Sequence, residues 1–171
     1  MKSNMKKSFL LTCMLLFMSI TMNAQVKITR QYLPIELDVK VKRCVVSGNQ
    51  GYIDLVFTNY TGHSIGEFFI LPYNGDVKYR ETVAYDDEGK VYYYLSNGSD
   101  IHKITLGGKD GHSYNIFPED VPVKMRIELT NISEFATEFT LLNINFRGYL
   151  SPNNNVDGSI TIRNIPITRV E

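Results

Sequence analysis

The sequence contains no tryptophan, two cysteines, three histidines and six prolines in 171 residues. Each shortage closes a class of function. Two cysteines cannot build the disulfide framework that small exported domains use when their cores are too small. His63, His102 and His112 lie 39 and 10 residues apart. That spacing offers neither the tight histidine pair nor the cysteine partners of a zinc site, so they read as surface or loop histidines. An excess of one charge is missing too: 18 basic residues balance 18 acidic ones. This excludes the basic face of a nucleic-acid binder. No Gly-x-Ser-x-Gly elbow marks a nucleophile. Gly107-Gly108-Lys109 lacks the upstream glycine and the following Ser or Thr of a phosphate loop, and reads as a strand connection.

Long apolar runs are absent except at the start. Lys2, Lys6 and Lys7 precede an apolar stretch from Phe9 to Ile20, followed by Met22-Asn23-Ala24. Its length, about twelve residues, is that of a signal-peptide core and too short for a relaxed membrane span. Residues 1–24 therefore read as a signal peptide cleaved after Ala24, with a retained anchor as the alternative. Leu10-Leu11-Thr12-Cys13 faintly resembles a lipidation site, but the apolar run continues past Cys13. The expected setting is export to the periplasm or cell surface, with no membrane span after cleavage. Loss of the three lysines leaves 15 basic against 18 acidic residues, a net charge of −3. Cys44 is then the lone thiol and reads as a small buried hydrophobe. The remaining chain, residues 25–171, reads as one domain held together by packing.

Strand patterns fill that domain. Ile35, Leu37, Val39 and Val41 alternate with Glu36, Asp38, Lys40 and Lys42. Val121, Val123, Met125, Ile127 and Leu129 face away from Lys124, Arg126, Glu128 and Thr130, and Ile53, Leu55 and Phe57 from Asp54 and Thr58. A period of two with one dry and one wet face is the signature of antiparallel sheet. Further strands are expected over 66–71, 77–85, 90–95, 101–106, 139–146 and 159–167, with Gly- and Asn-containing turns between them. Phase breaks after Val41, at Leu141-Leu142 and between Ile162 and Ile165 predict bulges or strands that change sheet. The spacing of Ile132, Phe135, Ala136 and Phe139 allows at most one helical turn, and Asn153 to Asn155 reads as a polar loop. The fold class is all-β, a two-sheet antiparallel sandwich of about 8–9 strands.

The densest acidic group, Asp86, Asp87 and Glu88, is a candidate for Ca²⁺, a hard cation that takes oxygen ligands. The same residues also suit a hairpin turn between two tyrosine-rich strands, without any cofactor. Tyr92, Tyr93 and Tyr94 are consecutive, so either Tyr93 or its two neighbours face outward. With Tyr79 and Tyr85 across the hairpin, Tyr92 and Tyr94 would extend an aromatic surface able to contact a protein or glycan of the cell envelope. Cross-strand packing is the alternative use of the same rings. Carboxylate pairs for glycoside hydrolysis are a matter of fold, because their separation of roughly 5–10 Å is not encoded in spacing.

Asp86-x-x-Gly89-x-x-Tyr92, some 27 residues after Val56-Phe57-Thr58-Asn59-Tyr60-Thr61, resembles a secreted immunoglobulin-like family of unknown function. Phe117-Pro118-Glu119-Asp120-Val121-Pro122-Val123 is similar to the pre-strand proline segment of such proteins. The ending Asn-Ala-Gln of the signal resembles those of Bacteroidota-type bacteria, in which Asn59, Asn97 and Asn131 stay unglycosylated. The likeness spans about residues 35 to 130. It lacks the cysteine pair and core tryptophan of true immunoglobulin domains. It implies an immunoglobulin-like sandwich in an exported setting and transfers no functional residue. The expected function is a non-catalytic binding or accessory module. The alternatives are a small hydrolase of envelope or dietary glycans with paired carboxylates, and a calcium-stabilised adhesin-like module.

Overall fold

The computed structural model describes residues 26–31, 36–72, 82–95, 100–110, 113–151 and 154–171. The signal segment, Ile35 and Tyr79 lie outside them. The described residues form thirteen strands and no helix, more than the eight to nine expected. The expected segments appear as β2 (Leu37–Ser47), β3 (Gln50–Asn59), β4 (Ile65–Ile70), β5 (Val83–Asp86), β6 (Val91–Tyr93), β7 (Ile101–Leu106), β10 (Val123–Leu129), β11 (Glu138–Ser151) and β12 (Asn154–Pro166). The additional ones are β1 (Lys27–Gln31), β8 (Lys109–Asp110), β9 (Ser113–Phe117) and β13 (Thr168–Val170). These are short, and all three residues of β13 are exposed. Strands of this kind carry no two-sided hydrophobic pattern to announce them.

One sheet runs β1-β12-β11-β4-β9, and β5, with β6 beyond it, also pairs with β11. The other runs β13-β2-β3-β10-β7-β8. Pairing is antiparallel except where β13 lies parallel to β2. The chain thus leaves the first sheet after Pro166 and joins the second at Thr168. Arg169 fixes that crossover by donating to the Ser133 and Ala136 carbonyls at 2.6 and 2.9 Å.

Inward residues of both sheets share one core. Leu37, Val39, Ile53, Leu55, Phe57, Met125 and Ile127 meet Phe68, Ile70, Phe139, Leu142, Ile144 and Phe146. Phe57 and Phe68 approach across the gap, with ring centroids 6.5 Å apart. This is a sandwich-like packing of two twisted sheets. Cys44 is buried, and burial pushes its thiol up to about 12, only partly opposed by Arg169. It stays protonated at neutral pH and serves as core.

The phase breaks have distinct causes. Between Val41 and Arg43 the register of β2 against β3 shifts by one residue, a bulge at Lys42. Leu141 and Leu142 sit where β11 shifts against β5. Between Ile162 and Ile165, Asn164 adopts φ +57°, so both isoleucines face inward. The expected helical turn is a single tight turn. Ser133 Oγ accepts from the Phe135 amide, Ile132 and Ala136 are buried, and Phe135 stays 70% exposed.

Two boundaries differ from expectation. Val121 is half exposed and precedes its strand: Asp120 holds φ +55° and Pro122 follows, so pairing starts at Val123. Asn154 and Asn155 belong to β12, not to a loop. There Arg147 grips Asp157 at 2.6 and 2.9 Å. Gly158 lets the Phe146 ring lie over the strand, since a Cβ there would meet the ring at 2.4 Å.

Candidate functional site

The Asp86–Tyr92 hairpin is locked from within. Gly89 supplies φ +82°, and its amide donates to the Asp86 carbonyl at 3.2 Å. Asp86 is buried. Its Oδ1 accepts from the Lys90 amide at 2.8 Å and its Oδ2 from the Tyr92 hydroxyl at 2.7 Å. The same hydroxyl accepts from the Ser133 amide at 3.3 Å. Burial and the Asp86 bond push the Tyr92 phenol well above its ordinary range. Phe139 meets the Tyr92 ring edge-on at 5.5 Å. The Lys90 ammonium lies 5.0 Å from the ring centroid and donates to the Asn131 carbonyl.

The tyrosine triplet therefore takes its inward alternative. Tyr92 is fully buried and does not present the expected surface, while Tyr94 is partly buried against the core. The reason is chemical: a buried phenol needs a partner, and Asp86 supplies it inside the hairpin. Tyr85 is 37% exposed and pairs with Val91. Tyr79 lies outside the described residues, so the four-tyrosine patch is not assembled among them.

The acidic turn is similarly engaged. Asp87 accepts from the amide and hydroxyl of Thr137, and weakly from the Glu138 amide at 3.4 Å. Burial raises its pKa, but these bonds outweigh it and hold the carboxyl below the ordinary value. A cation at Asp86 and Asp87 would have to displace N–H and O–H donors, and Glu88 alone is exposed without such bonds. No cluster of three metal-ligating side chains occurs among the described residues. Asn59 is another locked motif residue. It is buried, its amide donates to the carbonyls of His63 and Phe117, and it accepts from Thr61.

The other charged assembly lies on the outer face of the second sheet. Register places Arg43, Asp54, Arg126 and Thr105 in one row across β2, β3, β10 and β7. The adjoining row is Lys40, Val56 and Lys124. The bulge adds Lys42 beside them. Arg126 grips Asp54 through two bonds of 2.7 and 2.9 Å, and Arg43 adds a third at 2.8 Å. Both guanidiniums lie against the Tyr52 ring, 3.9 and 5.2 Å from its centroid. Burial raises the Asp54 pKa, yet the two arginines outweigh it and keep the carboxyl below its usual range.

A groove of about 840 Å³ opens here. Val56 forms part of its floor, and Val121, Pro122 and the Gly107-Gly108 turn border it. That turn has φ +62° and +79°, the paired positive values of a tight two-residue hairpin. Four cations, Lys42, Arg43, Lys124 and Arg126, face two carboxylates, Asp54 and Glu128. The arginines hold Asp54, and His102 stands 3.6 Å from Glu128. Lys42 and Lys124 are exposed, and their ammonium groups make no ion pair or hydrogen bond among the described residues. Lys42, Lys124, Arg126 and Asp54 each fall on the outward, charged face of the strand patterns. Their alignment is a matter of strand register, which spacing along one strand does not encode.

No protein-family model matches this chain, and no curated protein or solved structure is detectably similar to it.

Proposed function

We propose that this protein is a non-catalytic, exported binding module of immunoglobulin-like type, and that its contact surface is the groove on the outer face of the second sheet. The observation that carries this reading is the pair of lysines, Lys42 and Lys124, whose ammonium groups have no partner among the described residues, at a concave site whose other charges are matched there. Cations gathered at a concave site beyond what its own carboxylates match are available to an anionic partner. Asp54 suits binding better than acid–base work. Two guanidiniums keep it ionised, so it does not hold a proton to donate near neutral pH. The immunoglobulin-like assignment draws support from two mainly antiparallel sheets around one core. A tyrosine hydroxyl tied back to the turn before it adds to this, in the manner of a tyrosine corner but with the Asp86 carboxylate as acceptor.

The test is co-purification from the native envelope with three forms of the protein. These are wild type, Lys42→Glu/Lys124→Glu, and Tyr85→Ser. A component retained by wild type and Tyr85→Ser but lost from the lysine variant is the expected result. Loss from Tyr85→Ser alone moves the surface to the hairpin. Turnover of an envelope or dietary glycan by the purified protein overturns the non-catalytic reading. Recovery of a mature chain beginning at Gln25 in the periplasmic or extracellular fraction checks export.

A further inference from the structure

Resting on that reading of the groove, we infer that its ligand is an extended acidic peptide segment with a carboxylate on Lys42, an apolar side chain on Val56 and a second carboxylate on Lys124. The two lysines stand on β2 and β10, on either side of the strand that carries Val56. Neighbouring strands are about 4.8 Å apart, and the bulge sets Lys42 opposite the Asp54–Leu55 step, one to two residues along from the row of Val56 and Lys124, so the lysine backbones lie about 11 Å from each other. Alternate side chains of an extended segment point the same way and are about 6.6 Å apart. Residues at i and i+4 therefore span about 13 Å, and flexible lysine side chains close the difference by leaning outward. The i+2 side chain falls over Val56, where Val121 and Pro122 add apolar surface.

Charge complementarity selects an anion, since the groove carries an excess of two positive charges on a chain of zero net charge. The lining selects peptide over acidic glycan. A sugar seeks a bare aromatic face and many paired donors and acceptors. Arg126 and Arg43 lie against the Tyr52 ring, and Thr105 is the one neutral polar side chain in the lining. Apolar floor with flanking cations matches acidic and apolar side chains in alternation.

The probe is a fluorescein-labelled peptide with the core Glu-Thr-Val-Thr-Glu, read by fluorescence anisotropy at low salt against the full chain lacking its signal. Its Gln-Thr-Val-Thr-Gln counterpart and polygalacturonate are the comparison ligands. The acidic peptide is expected to bind. Exchange of both glutamates for glutamine, or Lys42→Gln/Lys124→Gln in the protein, should weaken it roughly tenfold, the size two exposed ion pairs supply. Tyr85→Ser should leave it unchanged. Both lysines are exposed, so an unchanged melting temperature verifies the fold of the variant. Binding of polygalacturonate but not of the peptide, with the same lysine dependence, overturns the peptide assignment and leaves the groove as a binding site. Binding of neither ligand overturns the assignment, and together with retention of the native partner by Lys42→Glu/Lys124→Glu it removes the groove reading as well. Peptide binding that ignores both the glutamates and the lysines also overturns it.

Discussion

The hairpin around Asp86 and the face around Asp54 are built from the same materials, a carboxylate, a tyrosine and cations, and they use them in opposite ways. In the hairpin the phenol enters the core and bonds Asp86, and Lys90 covers the ring from outside. On the face Tyr52 stays outside, and two arginines lie against it while holding Asp54. The hairpin closes on itself and on the segment before β11: Asp86 is answered by Lys90 and Tyr92, and Asp87, Lys90 and the Tyr92 hydroxyl by Thr137, Asn131 and Ser133. The face matches its arginines and leaves two lysines over. A dense cluster of chemistry in the sequence thus marked a structural lock, while the open site came from charges scattered over three strands.

The sharpest way to break the comparison is to remove Tyr92. Tyr92→Ala deletes a fully buried ring beside Phe139 and takes the hydroxyl from Asp86. Loss of a buried aromatic side chain costs about 3–5 kcal/mol. In a domain of this size that lowers the melting temperature by roughly 10 °C. Tyr92→Phe separates packing from hydrogen bonding. It keeps the ring and leaves one Asp86 oxygen without its phenol, at about 1–3 kcal/mol. Thermal unfolding followed by circular dichroism measures both. A melting temperature unchanged in Tyr92→Ala would place Tyr92 at the surface and restore the aromatic patch.

The contrast also shows what was legible in the sequence. The inward faces of β2, β3 and β10 follow from period-two alternation, and the slip after Val41 correctly marks the bulge at Lys42. These are local signals, set by which face of one strand meets the core. The triplet Tyr92-Tyr93-Tyr94 gave no such signal, because alternation alone leaves two orientations of equal standing. Asp86 decides between them through a bond across the hairpin. The groove is less local still. Arg43 and Asp54 meet through one strand pair, and Asp54 and Arg126 through another that joins residues 72 apart in the chain. The short edge strand β13 stayed hidden because its three residues show no buried face.

A smaller effect tests the face itself. The arginines hold the Asp54 pKa below the ordinary aspartate value of 3.8. A carboxyl with a lowered folded pKa stabilises the fold above its unfolded pKa, and that contribution fades as pH falls through the folded value. Asp54→Asn should therefore cost stability at neutral pH and none at strongly acid pH. Because Asp54 sits at a partly exposed site, the neutral-pH cost is at most about 1 kcal/mol. Melting temperatures from pH 2 to 7 should show the two proteins converging below about pH 4. Curves that run parallel throughout would mean that the arginines contribute nothing to Asp54, and that the face is as loosely held as its two lysines.

The smallest effect belongs to Tyr85, which is exposed where Tyr92 is fully buried and Tyr94 partly so. It opposes Val91 at the strand pair, and Thr140 donates to its backbone carbonyl, a bond that survives any side-chain change. Tyr85→Ser should alter stability by no more than about 0.5 kcal/mol. Its melting temperature belongs within about 2 °C of wild type. Set beside Tyr92→Ala, this pair ranks the hairpin's two faces on one scale. A large loss at Tyr85 would mean that its ring is covered by neighbours, and the hairpin would then have no free aromatic face at all. A negligible loss leaves a ring that the fold does not need, and makes Tyr85→Ser a clean control for the lysine variants of the groove.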